Sequence, residues 1–220
     1  MTRTALITGG GGALAKALRA ELELQGWQVQ APDRRALDAT DPVAVRAFMD
    51  ALPRLDLLVH NAGYLRDAPL ARLSETDFDA VLEVHLRAAF LCARSALRPM
   101  LRQGGGHLVF IGSFSALSGP AGQANYAAAK AGLIGLAQSL AAEYGARNVR
   151  ANVVLPGLME TPMSAPLLAD PERRQQALNA HTLGRFNTPE TAARFIAFLD
   201  SLSHTSGQVF NLDSRVHPWT

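Results

Sequence analysis

The sequence predicts an α/β fold, one doubly wound parallel sheet with helices on both faces. Three observations carry this. Short apolar runs with little polar alternation recur along the chain, as strands covered on both faces require. Longer segments between them carry apolar residues at helical spacing. The two kinds of element alternate, which is the order that builds a parallel sheet. Residues 5–7 read as the first strand, which ends at Thr8 and enters Gly9, Gly10, Gly11 and Gly12. Residues 13–25 read as the first helix, with Leu14, Leu18 and Leu22 on one face. Residues 27–31 form a second strand, stopped by Pro32-Asp33. Residues 36–38 leave room for a very short third strand, but not for a crossover helix of a dozen or more residues. The sheet is therefore expected to be trimmed there. Strands are expected at 55–59, 107–111, 149–155 and 208–212, and helices at 42–52, 78–102, 125–144 and 189–202. Residues 164–183 are expected to form a lid.

Composition narrows the function classes. At about 150 residues per domain, 220 residues suggest a single domain spanning 1–220. With 48% hydrophobic and 18% charged residues, disorder is excluded. The net charge is +2 with no Lys/Arg-rich run, which argues against a nucleic-acid partner. A lone cysteine, Cys92, permits no internal disulfide and favours a reducing compartment. No apolar stretch is long enough to span a membrane, and glycines at Gly9 come too early for a signal peptide. A cytoplasmic protein is expected. His60, His85, His107, His181, His204 and His217 are scattered over separate elements, so no metal is expected.

The glycine run has two readings. Alone it is an ordinary turn. Between a strand and a helix it lets backbone N–H groups approach a phosphate at the helix N-terminus. Asp33 supports the second reading, because it follows Gly12 at about the 20-residue spacing where a carboxylate meets ribose hydroxyls. Tyr126 and Lys130 stand at i and i+4, on one face of a helix. A nearby cation favours the phenolate and brings a phenol of pKa about 10 toward proton transfer at neutral pH. Ser113 falls at the carboxyl end of a strand, the edge where open parallel sheets bind ligands.

These stretches resemble the short-chain dehydrogenase/reductase family over about residues 4–212. The resemblance implies a Rossmann-type nicotinamide-dependent oxidoreductase that interconverts a ketone and a secondary alcohol. Where the family has Thr-Gly-x-x-x-Gly-x-Gly, this chain has Thr8-Gly9 followed by Ala13-Leu14-Ala15. Asp38-Ala39 matches the family's adenine-side acid, Asn61-Ala62-Gly63 its cofactor floor, and Pro156-Gly157 with Met159 and Thr161 its nicotinamide cover. The resemblance assigns acid/base chemistry to Tyr126 and carbonyl orientation to Ser113. Lys130 would lower the phenol pKa and hold the nicotinamide ribose. His85 stands where the family has an asparagine. It either joins the proton relay, adding an acid limb with a pKa near 6 to 7, or contributes only its backbone.

Asp33 points to NAD, with Arg34 and Arg35 as the residues that would admit NADP. Asn61-Ala62-Gly63-x-x-Arg66-Asp67 resembles the β-ketoacyl reductase branch, which implies a 3-oxoacyl thioester substrate. Arg147 matches one basic residue of that branch for an acyl carrier protein, and Gly104 fails to match a second. A homo-oligomer, tetramer or dimer, is implied through helices 78–102 and 125–144, with Ala88, Ala89, Leu91, Ala93, Ala96 and Ala137 small or apolar enough for close approach, unless they all face the sheet instead. Two alternatives stand beside the reductase: a non-catalytic dinucleotide-binding regulator, and an epimerase or dehydratase with a retained cofactor.

Overall fold

The computed structural model describes residues 2–216; His217 lies outside the described residues. Six parallel strands form one sheet in the order β2-β1-β3-β4-β5-β6. They are β1 (Thr4–Ile7), β2 (Gln28–Gln30), β3 (Leu57–His60), β4 (Gly106–Ile111), β5 (Val149–Leu155) and β6 (Val209–Asn211). The helices are α1 (Ala13–Leu24), α2 (Pro42–Asp50), α3 (Glu75–Leu82), α4 (Ala88–Arg102), α5 (Ser115–Ser118), α6 (Ala124–Tyr144), α7 (Ala165–Leu168), α8 (Pro171–Ala180) and α9 (Pro189–Ser201).

Alternation along the strands divides the core into two layers. Leu6, Leu58, Leu108, Phe110 and Val153 pack against α2, α4 and α6 on one face. Ala5, Ile7, Leu57, Val59, Val109 and Val154 pack against α1 and α9 on the other. Burying a Leu or Ile side chain is worth about 1.5–3 kcal/mol, so this two-sided burial holds the sheet rigid under its carboxyl edge.

Two expectations need correction. Residues 36–38 form no strand; a turn occupies residues 34–36 and irregular backbone follows it. Asp33 Oδ1 accepts from the N–H groups of Arg35 and Ala36 at 2.9 and 3.0 Å, and Leu37 N donates to Asp33 O. These local bonds satisfy the backbone that a strand ladder would have used. Second, Ala88, Ala89, Leu91, Ala93, Ala96 and Ala137 are all buried within the protomer, each 3% exposed or less, and all but Leu91 belong to the core layer against the sheet. They cannot meet another copy. On the outer side of α4 stands Phe90, 43% exposed, under Arg94.

The order β2-β1-β3 reverses direction at β1, so the loops after β1 and β3 diverge there. Such a switch point is where open sheets of this kind bind ligands.

Candidate active site

The floor of the site begins at Thr8. Its hydroxyl accepts from the N–H groups of Asn61 and Ala62 at 3.1 and 3.2 Å and donates to His60 Nδ1 at 3.2 Å. Asn61 Nδ2 reaches the carbonyls of Thr8 and Gly9. Gly9 has φ +69°, and a Cβ there would stand 2.8 Å from Ala62 Cα. A Cβ on Gly10 would fall 1.9 Å from Ala31 O, whereas one on Gly11 would meet nothing within 4 Å. The glycines thus serve different ends: Gly9 and Gly10 allow close packing against neighbouring backbone, while Gly11 faces open space.

Gly12 opens α1 without a side-chain cap, and the helix has no acid in its first turn. Its positive end therefore suits an anionic pyrophosphate. Ala13 lines an open cleft with Phe186 and Asn187, which accommodates its methyl group. Leu14 is buried in the α1–α9 core, leaving its backbone for a ligand. Asp33 is exposed just beyond β2. Asp38 Oδ1 accepts from Thr40 N and Thr40 Oγ1, at 3.0 and 2.7 Å, and these bonds hold its carboxyl below the usual range. Ala39 beside it is buried.

At the other side of the switch point, β4 ends at Ile111 and leads through Gly112 to Ser113. Ser113 Oγ accepts from Ser115 N at 3.1 Å, and Ser115 Oγ donates to Gln123, which donates in turn to Asp67 at 2.6 Å. Asn125 is fully buried and ties α6 to Arg66 O at 2.9 Å. Sequence reasoning assigned no site role to Asp67, Gln123 or Asn125. Asp67 did stand within the quoted Arg-Asp motif.

Tyr126 and Lys130 follow on α6 with the Lys130 ammonium 5.5 Å from the phenol ring centroid. Lys130 is buried and donates to Ile111 O at 2.6 Å. Burial pushes Lys130 down to about 7 and the Tyr126 phenol up to about 12. A hydrogen bond with Ser113 works against the rise, and the Asp67 charge adds to it. The expected lowering by Lys130 does not govern the phenol here, because dehydration outweighs an ammonium whose own charge burial disfavours.

His85 lies in a single π-helical turn, Glu83–Arg87, between α3 and α4. Such turns often mark functional sites. Gly132 on α6 lets Leu86 of this turn approach, since a Cβ there would stand 2.7 Å from Leu86 Cδ2. The His85 ring stacks edge-on to Tyr126 at 5.1 Å between centroids, and its Nε2 donates to Tyr64 O at 2.8 Å. Gly63 leaves the room for this ring; a Cβ there would fall 2.1 Å from His85 Cε1.

Burial, then repulsion from Lys130, pushes the imidazole down to about 2. This favours the backbone-only reading over titration near pH 6 to 7, because a group with so low a pKa stays neutral from pH 5 upward. Native and His85→Asn pH–rate curves should therefore overlap between pH 5 and 9. An acid limb present only in the native protein would restore His85 to the relay. Sequence reasoning also missed His60. Buried and pushed down to about 3, it accepts a hydrogen bond from the Thr8 hydroxyl at Nδ1, and its Nε2 lies 3.3 Å from Val84 O of the π turn. Its place directly before Asn61-Ala62-Gly63 was the available signal.

After β5, Gly157 turns at φ +81°, and Asn187 Nδ2 holds Pro156 O at 2.7 Å. Met159 bridges to Asn187, and Ser164 Oγ accepts from Thr161 N at 3.0 Å. These segments converge on the carboxyl edge of the sheet, with the glycine loop on one side and Ser113 on the other. Among the described residues no group of His, Cys, Asp or Glu is arranged to hold a metal, and no helix is long and apolar enough to cross a membrane.

A family profile described as enoyl-(acyl carrier protein) reductase matches residues 11–217. The chain belongs to the short-chain dehydrogenase/reductase family. It is an NAD(P)-dependent oxidoreductase. The 3-oxoacyl-[acyl-carrier-protein] reductase of Thermotoga maritima is 40% identical over 82% of this chain and 75% of its own. The corresponding protein of Aquifex aeolicus is 37% identical over 96% and 86%. A crystal structure from Beutenbergia cavernae, titled as a candidate NAD(P)-dependent gluconate 5-dehydrogenase with bound NADP, superposes with a TM-score of 0.87. It is 32% identical and covers 96% of this chain and 95% of its own. Levodione reductase superposes at 0.89 with 27% identity over 96% of each chain.

Proposed function

We propose that this short-chain dehydrogenase/reductase reduces the ketone of a 3-oxoacyl thioester, with NADH as the preferred cofactor. The observation that carries this is the meeting of Ser113, Tyr126 and Lys130 at the carboxyl edge of β4, opposite the glycine loop. Ser113 Oγ orients the carbonyl oxygen. Tyr126 Oη donates its proton to that oxygen as negative charge develops, the Lys130 ammonium nearby favours the phenolate left behind, and solvent returns the proton to Tyr126 after turnover. Bound nicotinamide supplies the hydride. Gly9 to Leu14 would hold the pyrophosphate and Asn61-Ala62-Gly63 the floor beneath the ring. Pro156, Gly157, Met159 and Thr161 would cover it.

The thioester reading is supported by the named activity of the Thermotoga and Aquifex relatives. A second support is the lid and its approach, where Met163, just before it, and Leu167 and Leu183 within it are 46%, 41% and 64% exposed and offer apolar contact to an acyl chain. Arg147 precedes β5 at the amino end of the strands, where Asn148 Nδ2 donates to Gly104 O at 3.1 Å, whereas Ser113 follows the carboxyl end of β4, so Arg147 lends the carrier reading no support from the Ser113 side.

For the cofactor, the exposed Asp33 carboxylate accepts both adenosine ribose hydroxyls and repels a 2′-phosphate. Arg34 lies 3.7 Å from Asp38 and so is drawn away from that phosphate position; Arg35 is the opposing group. Nicotinamide absorbance, followed with a short 3-oxoacyl thioester, a cyclic diketone and a keto-sugar, tests the whole reading. Turnover should be fastest with the thioester and NADH. Tighter NADPH binding would overturn the NAD assignment, and a keto-sugar preference would overturn the thioester. Binding without any net oxidation would favour the regulator or the retained-cofactor alternative.

A further inference from the structure

We propose that Asp213 is a positioning residue of the active site, through which one buried carboxylate fastens the lid, the Pro156-Gly157 cover and the Ser113 loop together. This rests on the assignment of the site to Ser113, Tyr126 and Lys130. Asp213 follows β6, and its side chain is 1% exposed. A buried carboxylate needs its charge met by hydrogen-bonded cations. Arg215 meets it: its backbone N–H donates to Oδ1 at 2.9 Å, and Nε donates to Oδ2 at 2.8 Å with Nη2 alongside. The guanidinium so held lies over the Phe114 ring, 4.0 Å from its centroid. Phe114 is the residue after Ser113. The ion pair therefore also fixes the loop that carries the serine.

The same carboxylate faces the lid. His181 donates Nδ1–H to Ala177 O at 2.6 Å, and its buried Nε2 has no hydrogen-bond partner. That nitrogen stands 3.8 Å from Asp213 Oδ2. Next along the strap, Ser214 O accepts from Thr182 N and Thr182 Oγ1 at 3.2 and 2.9 Å, and Ser214 Oγ accepts from Leu183 N at 3.2 Å. Asp213 also abuts the cofactor cover, because a Cβ on Gly157 would lie 2.5 Å from Asp213 Cβ.

Between its ends the lid is tied mainly through exposed contacts, Arg174 of α8 pairing with Glu160 and lying over the Phe186 ring. Neither α7 nor α8 buries a residue. Segments with few buried contacts open at low free energy, so the lid's order depends on its two ends. One end is the Ser164 turn; the other is His181 to Leu183 on the strap.

The test compares native protein with Asp213→Asn, Arg215→Met, Arg215→Lys and, in parallel, Tyr126→Phe. Readouts are kcat and KM for the ketone, cofactor Kd, thermal midpoint, and amide hydrogen exchange over residues 165–183. Asp213→Asn should raise KM at least about tenfold, the scale of a small misplacement of substrate. Lid exchange should accelerate while exchange in the sheet core stays near native, and ketone KM should rise by a larger factor than cofactor Kd. Arg215→Met should reduce kcat through the Phe114 loop while Arg215→Lys recovers part of it. Arg215 is partly exposed, so this pair keeps the proposal testable if Asp213→Asn does not fold. Parallel losses of activity and thermal midpoint, with lid exchange unchanged, would overturn it. Full turnover in Tyr126→Phe would instead overturn the site assignment, and lid exchange in the strap variants would still decide the fastening.

Discussion

Tyr126→Phe is expected to lose at least about 10²-fold in turnover, the lower end of what a positioned general acid supplies. That corresponds to about 2.7 kcal/mol of transition-state stabilisation. The substitution removes only the phenolic oxygen. The ring that packs edge-on against His85 at 5.1 Å remains, as does the α6 backbone bond between Tyr126 N and Asn125 Oδ1. Cofactor affinity and thermal midpoint should therefore stay near native while kcat falls. Stopped-flow absorbance at the nicotinamide band, with cofactor Kd from fluorescence, separates the two. Activity within a few-fold of native would reject Tyr126 as the proton donor.

Gly10→Ala is expected to be the most damaging single methyl group in the cofactor loop. The added carbon would stand 1.9 Å from Ala31 O and 2.5 Å from Ala31 C, both backbone atoms that no rotamer change can move. Overpacking of this kind costs about 1–3 kcal/mol. The loop's bond from Gly10 N to Pro32 O, at 2.9 Å, would have to stretch. Cofactor Kd should rise at least about tenfold, equivalent to 1.4 kcal/mol. The thermal midpoint should fall by roughly 2–4 °C per kcal/mol. Gly11→Ala is the control, since nothing lies within 4 Å of its added carbon. Equal midpoints for the two variants would show that the loop yields, and the argument from close backbone approach would fail.

Much of the frame was legible because it rests on local pattern. Leu14, Leu18 and Leu22 mark the buried face of α1, and the two-sided apolar strands mark the interior of the sheet. Tyr126 and Lys130 share a helix, so their relation is a matter of spacing alone. What escaped depends on distant partners or on competition between forces. The run Glu-Val-His-Leu-Arg at 83–87 reads as ordinary helix; only the structure shows the wide turn and the His60 ring beneath it. The sign of the Tyr126 shift depended on whether burial or the ammonium dominates, which spacing does not reveal. The small residues of α4 and α6 looked equally fit for a sheet or a partner, and only the packing shows that they face the sheet. Asp213 gives no local signal, because its contacts to His181 and Gly157 cross 32 and 56 positions of sequence.

The turn at residues 33–37 has one more consequence, for the protein's behaviour in concentrated solution. By replacing an outer strand it leaves β2 as the margin of the sheet. A margin strand offers a row of unpaired N–H and C=O groups on which another chain can add, and the hazard grows with its length and flatness. β2 has only the three residues Gln28–Gln30. Pro32 ends it on one side, and the exposed charges of Asp33, Arg34 and Arg35 follow at once. The flank thus remains too short and too charged to seed intermolecular sheet growth, even though the sheet has lost its covering strand.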